Sequence, residues 1–229
     1  MNPACPGTLY IVSTPIGNLK DITLRALEVL ASADAIACED TRETHKLLTR
    51  HSIRVPMISY HDHSGQGRLL GLVERLKEGE TIALVTDNGT PLVSDPGFTL
   101  VREALQNGIR VEPVPGPSAS LAALVGSGIP CEKFIFEGYL PQKEGGRRKM
   151  LEALREEKRT MVFYESPHRI VKTLEAMAEI FGDRPACLAR EITKKYEEFL
   201  RGNLKYILTE TAKRNKLGEL VIIVEGLRD

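Results

Sequence analysis

Short β-branched runs alternate with segments of helical period along the first half of this chain. Leu9 to Val12, Ala35 to Cys38, Pro56 to Tyr60, Thr81 to Val85 and Arg110 to Val114 read as strands. Between them, Thr23 to Ala31 sets Leu24, Leu27 and Leu30 on one helical face, and Leu69 to Leu76 does the same with Leu69, Leu72, Val73 and Leu76. Strands that alternate with amphipathic helices predict a parallel sheet covered by crossover helices.

The rhythm breaks at Val111 to Ser120, VEPVPGPSAS, where three prolines and a glycine stand between the fifth strand and the helical run Leu121 to Val125. A boundary is expected here, giving domains 1–115 and 116–229. Beyond it Phe134 to Phe136, Thr160 to Tyr164, Ala186 to Ala189, Glu197 to Leu200 and Leu220 to Val224 read as strands, with helical runs around Leu151 and Leu174. Glu191 to Arg201 has room for a hairpin without a helix, so the second sheet is expected to be mixed. The fold class is therefore two α/β domains, the first on a parallel sheet and the second on a mixed one.

Composition changes this picture little. The chain has 229 residues, 42% of them hydrophobic, enough for buried cores, and its 31 basic and 31 acidic residues cancel. No global field draws it to nucleic acid or an anionic membrane, so any RNA contact rests on a local patch. Cys5, Cys38, Cys131 and Cys187 are too scattered for a zinc site or a disulfide framework. The first residues lack a basic start and a long apolar stretch, and the apolar run Leu220 to Val224 is too short to span a bilayer. A cytoplasmic protein with no membrane partner is expected.

In open α/β sheets ligands sit beyond the carboxyl ends of the strands. The loops there read STPIGNLKD (13–21), EDTRET (39–44), SYHDH (59–63), TDNGTPLVSDPG (86–97) and PGPSAS (115–120). No GxGxxG is present, Asp87 and Asp95 flank the richest loop with negative charge, and Pro91 and Pro96 lack the N–H groups an anion needs. That loop suits hydroxyls, an amino group or a sulfonium rather than phosphate. The same residues also suit plain turns, with Gly89 and Gly97 supplying positive φ.

Nine stretches in order, GTLYIVSTPIGNLKDITLRAL, CEDTRETHKLL, SYHDH, TDNGTPLVSDPG, VPGPSAS, FEGYLP, FYESPHR, AREITK and GELVIIVEG, carry a resemblance over Gly7 to about Gly226. The chain resembles the ribosomal RNA small subunit methyltransferase I family of the tetrapyrrole methylase superfamily. The resemblance implies S-adenosylmethionine as donor, the 2′-hydroxyl of a cytidine of 16S rRNA in the 30S subunit as acceptor, a homodimer, and a donor cleft between the domains. Implied donor contacts are Pro15, Asp87, Asn88, Gly89, Thr90, Val93, Ser94, Ser118, Ala119, Tyr164, Ala189 and Gly218. Two departures stand out: the family's SDAGTP has Thr86 and Asn88 here, and many members continue past the last strand whereas this chain stops at Asp229. A tetrapyrrole or protein acceptor, and a non-catalytic RNA-binding role, are the competing readings.

A ribose hydroxyl is a poor nucleophile, so a group must take its proton. His61 and His63 share one face of a strand and offer imidazoles, the usual general base, and no third ligand supports a metal there. Glu39, Asp40 and Arg42 stand at the end of the second strand, where Asp40 and Glu43 equally fit a capping box. Glu165, His168 and Arg169, with Arg190, Glu191 and Lys194, form a third candidate group, whose arginines and lysine suit a phosphate, and a desolvated Lys194 would serve as base once its pKa fell. A surface ion-pair network accounts for them equally. Arg147, Arg148 and Lys149 are expected to dock rRNA phosphates, or else to form the wet face of a helix whose Met150, Leu151 and Leu154 pack inward.

Overall fold

A computed structural model describes residues 7–61, 65–214 and 218–228, and the period-two runs become two five-stranded sheets. Contacts divide the chain into two units, Met1–Ser118 and Ala119–Asp229. In the first unit, strands β1 (Thr8–Val12), β2 (Ala35–Cys38), β3 (Met57–Ser59), β4 (Ile82–Leu84) and β5 (Arg110–Val114) alternate with helices α1 (Leu24–Ser32), α2 (Thr41–Arg50), α3 (Gln66–Lys77) and α4 (Phe98–Gln106). The strands pair in the order β3-β2-β4-β1-β5, all parallel.

This sheet is covered on both faces. Leu9, Ala37, Ile82 and Leu84 pack with Leu72 and Leu76 of α3 and Leu100 and Ala104 of α4. Their sequence neighbours Val12, Ile36, Cys38 and Ala83 point the other way, onto Ala26 and Leu30 of α1 and Leu48 of α2. That is why β2 and β4 read as unbroken apolar runs: each is buried throughout. One expectation for α1 fails. Leu24 is 79% exposed, because the Thr23 hydroxyl caps the helix at Ala26 N (3.1 Å) and Leu24 falls on the first turn outside the Ala26–Leu30 stripe.

The second unit holds α5 (Ala119–Ser127), β6 (Phe134–Tyr139), α6 (Glu144–Ala153), β7 (Thr160–Glu165), α7 (Ile170–Phe181), β8 (Pro185–Arg190), β9 (Glu198–Asn203), α8 (Leu204–Ala212) and β10 (Leu220–Val224). Its order is β6-β7-β10-β8-β9; only β6 and β7 are parallel, so the sheet is mixed. Helix α8 was not legible from periodicity in LKYILTETA, yet Leu204, Ile207 and Thr211 form its buried stripe. One face of this sheet, with Met161, Phe163, Leu188, Ile222 and Val224, packs on Leu151, Leu174, Met177 and Ile207 from helices α6, α7 and α8. Among the described residues no helix is long and apolar enough to cross a membrane.

Candidate functional site

The strand order brings the loops after β1, β2, β4 and β5 side by side, and hydrogen bonds tie them together. Thr14 and Gly89 form an isolated antiparallel bridge, with Thr14 N–H donating to Gly89 O (2.8 Å) and Gly89 N–H to Thr14 O (3.2 Å). The Thr14 hydroxyl donates to Thr86 O (3.1 Å), Ser13 and Thr90 share a hydroxyl contact of 2.9 Å, and Thr90 donates to Pro117 O (3.0 Å). Gly89 is needed at this crossing: its φ is +88°, and a Cβ there would stand 3.2 Å from the Ile16 side chain. The loop after β4 also holds Leu92 (φ 71°) and Ser94 (φ 68°) in the left-handed region, strain of the kind that surrounding structure sustains at functional sites.

Carboxylates gather at this crossing. Thr86, 3% exposed, donates its hydroxyl proton to Glu39 Oε2 (3.3 Å). Asp95 hydrogen-bonds the same hydroxyl, and burial followed by the nearby charge of Glu39 pushes its pKa up to about 6. One hydroxyl proton serves one acceptor at a time, so Asp95 and Glu39 compete for Thr86, whose hydrogen bond lowers the Asp95 pKa against the larger effect of burial. Burial likewise raises Asp87, opposed by the hydrogen bond it accepts from Asp40 N (3.0 Å).

Asp40 caps α2 through Arg42 N (2.8 Å), but the reciprocal half of a capping box is missing. Its own N–H goes to Asp87, while Glu43 pairs with Lys46 at 2.7 Å. Arg42 grips Asp40 at Nε (3.0 Å) and Nη2 (2.6 Å) and holds that carboxyl at about 2. His61 follows β3 and lies near enough to Asp87 to influence its charge. Asp62 and His63 lie outside the described residues.

Pro15, Asp87, Asn88, Gly89, Thr90, Val93, Ser94 and Ser118 thus all belong to the first unit's strand-end loops; Pro15 and Gly89 are buried and Asn88 and Ser94 exposed. Sequence reading passed over Ser13 and Thr14, whose signal was small hydroxyl residues directly after a strand.

In the second unit Ala119 opens α5, Tyr164 and Ala189 flank Val221 on one sheet face, and Gly218 (φ +69°) precedes β10, where a Cβ would meet the Glu191 carboxylate at 2.4 Å. Several basic residues expected on substrate have other work. Lys194 ion-pairs with Glu191 (3.2 Å) and Glu219 (2.9 Å). Although burial pulls its pKa down, those carboxylates outweigh it and leave the pKa raised, so the expected desolvated base is absent. Glu165, 2% exposed, accepts from Thr173 Oγ1 (2.6 Å) and Ser166 N (2.6 Å) and pairs with Arg169 (2.7 Å), an arrangement that anchors the start of α7. Arg190 pairs with Glu198 (3.1 Å) and Arg148 with Glu179. Arg147 is 4% exposed, on the inward side of α6 with Leu151, and so is not placed to dock phosphate; Lys149 is exposed.

An α/β chain whose strand-end loops cross at a glycine and gather carboxylates and hydroxyls suits a ligand with hydroxyl, amino or cationic groups rather than a phosphate. The profile of the Tetrapyrrole (Corrin/Porphyrin) Methylases matches residues 8–208. Among solved structures, diphthine synthase superposes with a TM-score of 0.74 at 18% identity, over 96% of this chain and 90% of that one. Uroporphyrin-III C-methyltransferase from Thermus thermophilus complexed with S-adenyl homocysteine gives 0.67 at 20% identity, over 96% and 97%. These two share the fold.

Two relatives described as ribosomal RNA small subunit methyltransferase I are far more similar. That of Haemophilus influenzae is 51% identical over 224 residues, 96% of this chain and 79% of its own. That of Thermotoga maritima is 46% identical over 220 residues, 96% and 99% of the two chains. The chain belongs to the tetrapyrrole methylase family and, within it, to the ribosomal RNA small subunit methyltransferase I enzymes.

Proposed function

We propose that this chain transfers a methyl group from S-adenosylmethionine to the ribose 2′-hydroxyl of a cytidine in the 16S rRNA of the 30S subunit. The observation that carries the reading is the glycine-bridged acidic crossing of the β1 and β4 loops in a member of this family. The residues fit the donor: Asp87 and Glu39 suit its cationic groups and ribose hydroxyls, and Gly89 lets the β1 and β4 loops cross closely beside them. Asn88, Thr90, Pro15, Val93, Ser94 and Ser118 would complete the first unit's share of the contacts.

The bound donor supplies an electrophilic methyl group on a sulfonium centre. The chain must hold the acceptor oxygen in line and take its proton. Arg42 holds Asp40 at about 2, which makes it a weak base. Glu165 is engaged by Thr173, Ser166 and Arg169, and Lys194 is kept protonated by Glu191 and Glu219. We therefore assign the proton to His61, at the end of β3 beside Asp87. Lys149, exposed on α6, and Arg42, exposed though paired with Asp40, would meet RNA phosphates.

The working form is a cytoplasmic homodimer, which light scattering on the purified protein tests. The activity is tested by transfer of radiolabelled methyl from S-adenosylmethionine to purified 30S subunits lacking the modification, with free 16S rRNA in parallel. Label in 2′-O-methylcytidine is the expected result, and absence of label on either acceptor with donor bound rejects it.

A further inference from the structure

We propose that Tyr139 is the platform on which the target nucleobase stacks, a reading that rests on the RNA acceptor proposed above. The argument starts from a bulge. In a regular strand Phe136 and Tyr139, three residues apart, would point to opposite faces. In β6 the register slips between Phe136 and Gly138, so that Phe136 opposes Val162 and Tyr139 opposes Tyr164. Gly138, at φ +63°, supports the irregularity. Both rings therefore share the face of Val162 and Tyr164: Phe136 meets Tyr164 edge-on at 4.9 Å between centroids, and Tyr139 lies tilted at 5.6 Å. A bulge that re-aims a side chain is a recurrent device beside active sites.

Paired registers extend this row across the strand ends, from Tyr139 to Tyr164, Val221, Ala189 and Phe199. Helix α5 covers the far part of it, where Gly126 abuts the Phe199 ring, while Tyr139 on the edge strand remains 57% exposed. The chain then turns through Leu140, whose carbonyl accepts from Arg169 (3.2 Å), into α6 with exposed Lys143 and Lys149; Glu144 is exposed there too.

A ring held by aromatic neighbours, with lysines just along the chain, matches how proteins hold an unstacked base and its phosphates. A second copy of the chain seated on the same face is the competing occupant, and the light-scattering arm of the test distinguishes it.

The test compares Tyr139→Ala, Tyr139→Leu and Tyr139→Phe with the parent protein. Readouts are KM for 30S subunits, donor affinity by calorimetry, mass by light scattering, and quenching of a pyrrolocytidine placed at the target position of a short RNA. Removing a stacking ring should raise KM roughly tenfold to a hundredfold and abolish quenching in the Ala and Leu variants. Tyr139→Phe should stay near the parent, and donor affinity should not move. Parent-like KM and quenching in Tyr139→Ala would overturn the proposal, as would a loss explained by weakened donor binding or by dissociation of the oligomer. If the parent methylates no 30S subunit, the functional reading fails, and the quenching series still decides whether Tyr139 stacks a base.

Discussion

Replacing Asp95 with asparagine should stabilise this protein, and should do so more at high pH. Asp95 hydrogen-bonds Thr86 among the charges of Glu39 and Asp87, and its pKa is raised from 3.8 to about 6. A carboxyl raised by folding is favoured as the neutral acid, so it imposes nothing on stability below its unfolded pKa. A penalty then accrues as pH rises from about 4 and is complete above about 6. Two pH units at about 1.4 kcal/mol each make that penalty about 3 kcal/mol, with about half of it already present at pH 5.

Asparagine keeps an acceptor oxygen toward Thr86 and cannot ionise, so it removes the penalty. Urea unfolding of the parent and Asp95→Asn at pH 5 and pH 8 measures this. The variant's advantage should widen by roughly 1.5 kcal/mol between the two. An advantage independent of pH, or a variant less stable at pH 8, would refute the raised pKa of Asp95.

Asp87→Ala removes the carboxylate that accepts from Asp40 N and faces the proposed donor; a charged hydrogen bond is worth roughly 1.5–3 kcal/mol, so donor affinity measured by calorimetry should fall at least tenfold. Unchanged affinity takes Asp87 out of the site. Lys149→Glu should weaken RNA binding and flatten its salt dependence, whereas Arg147→Glu, buried on α6, should lower the unfolding midpoint instead. A folded Arg147→Glu variant with only RNA binding impaired would reverse that assignment. Because two carboxylates hold Lys194 protonated above its usual range, Lys194→Met should keep the pH–rate profile of methyl transfer between pH 6 and 9; loss of a titrating limb there would restore it as the base.

Sequence alone settled the architecture because both periodicities were strong. Apolar runs such as Ala35–Cys38, set between amphipathic helical segments, read as strands buried on both faces, and Leu72, Val73 and Leu76 mark the inward side of α3. It also marked the strand-end loops as the site, since their glycines, prolines and acids suit turns and polar ligands rather than packing. Local pattern could not tell that Leu24 faces solvent, that Arg147 is buried, or that Lys194 lies between two carboxylates, because burial and charge depend on residues distant in the chain. The Thr14–Gly89 bridge joins residues 75 positions apart, and the meeting of Asp95 and Glu39 at the Thr86 hydroxyl exists only where the β2 and β4 loops come together. The Tyr139 ring, likewise, reaches Tyr164 only through a register slip against a neighbouring strand. Period and turn chemistry are written locally, whereas pKa values, ion pairing and side-chain aim are set by what folding brings within a few ångströms.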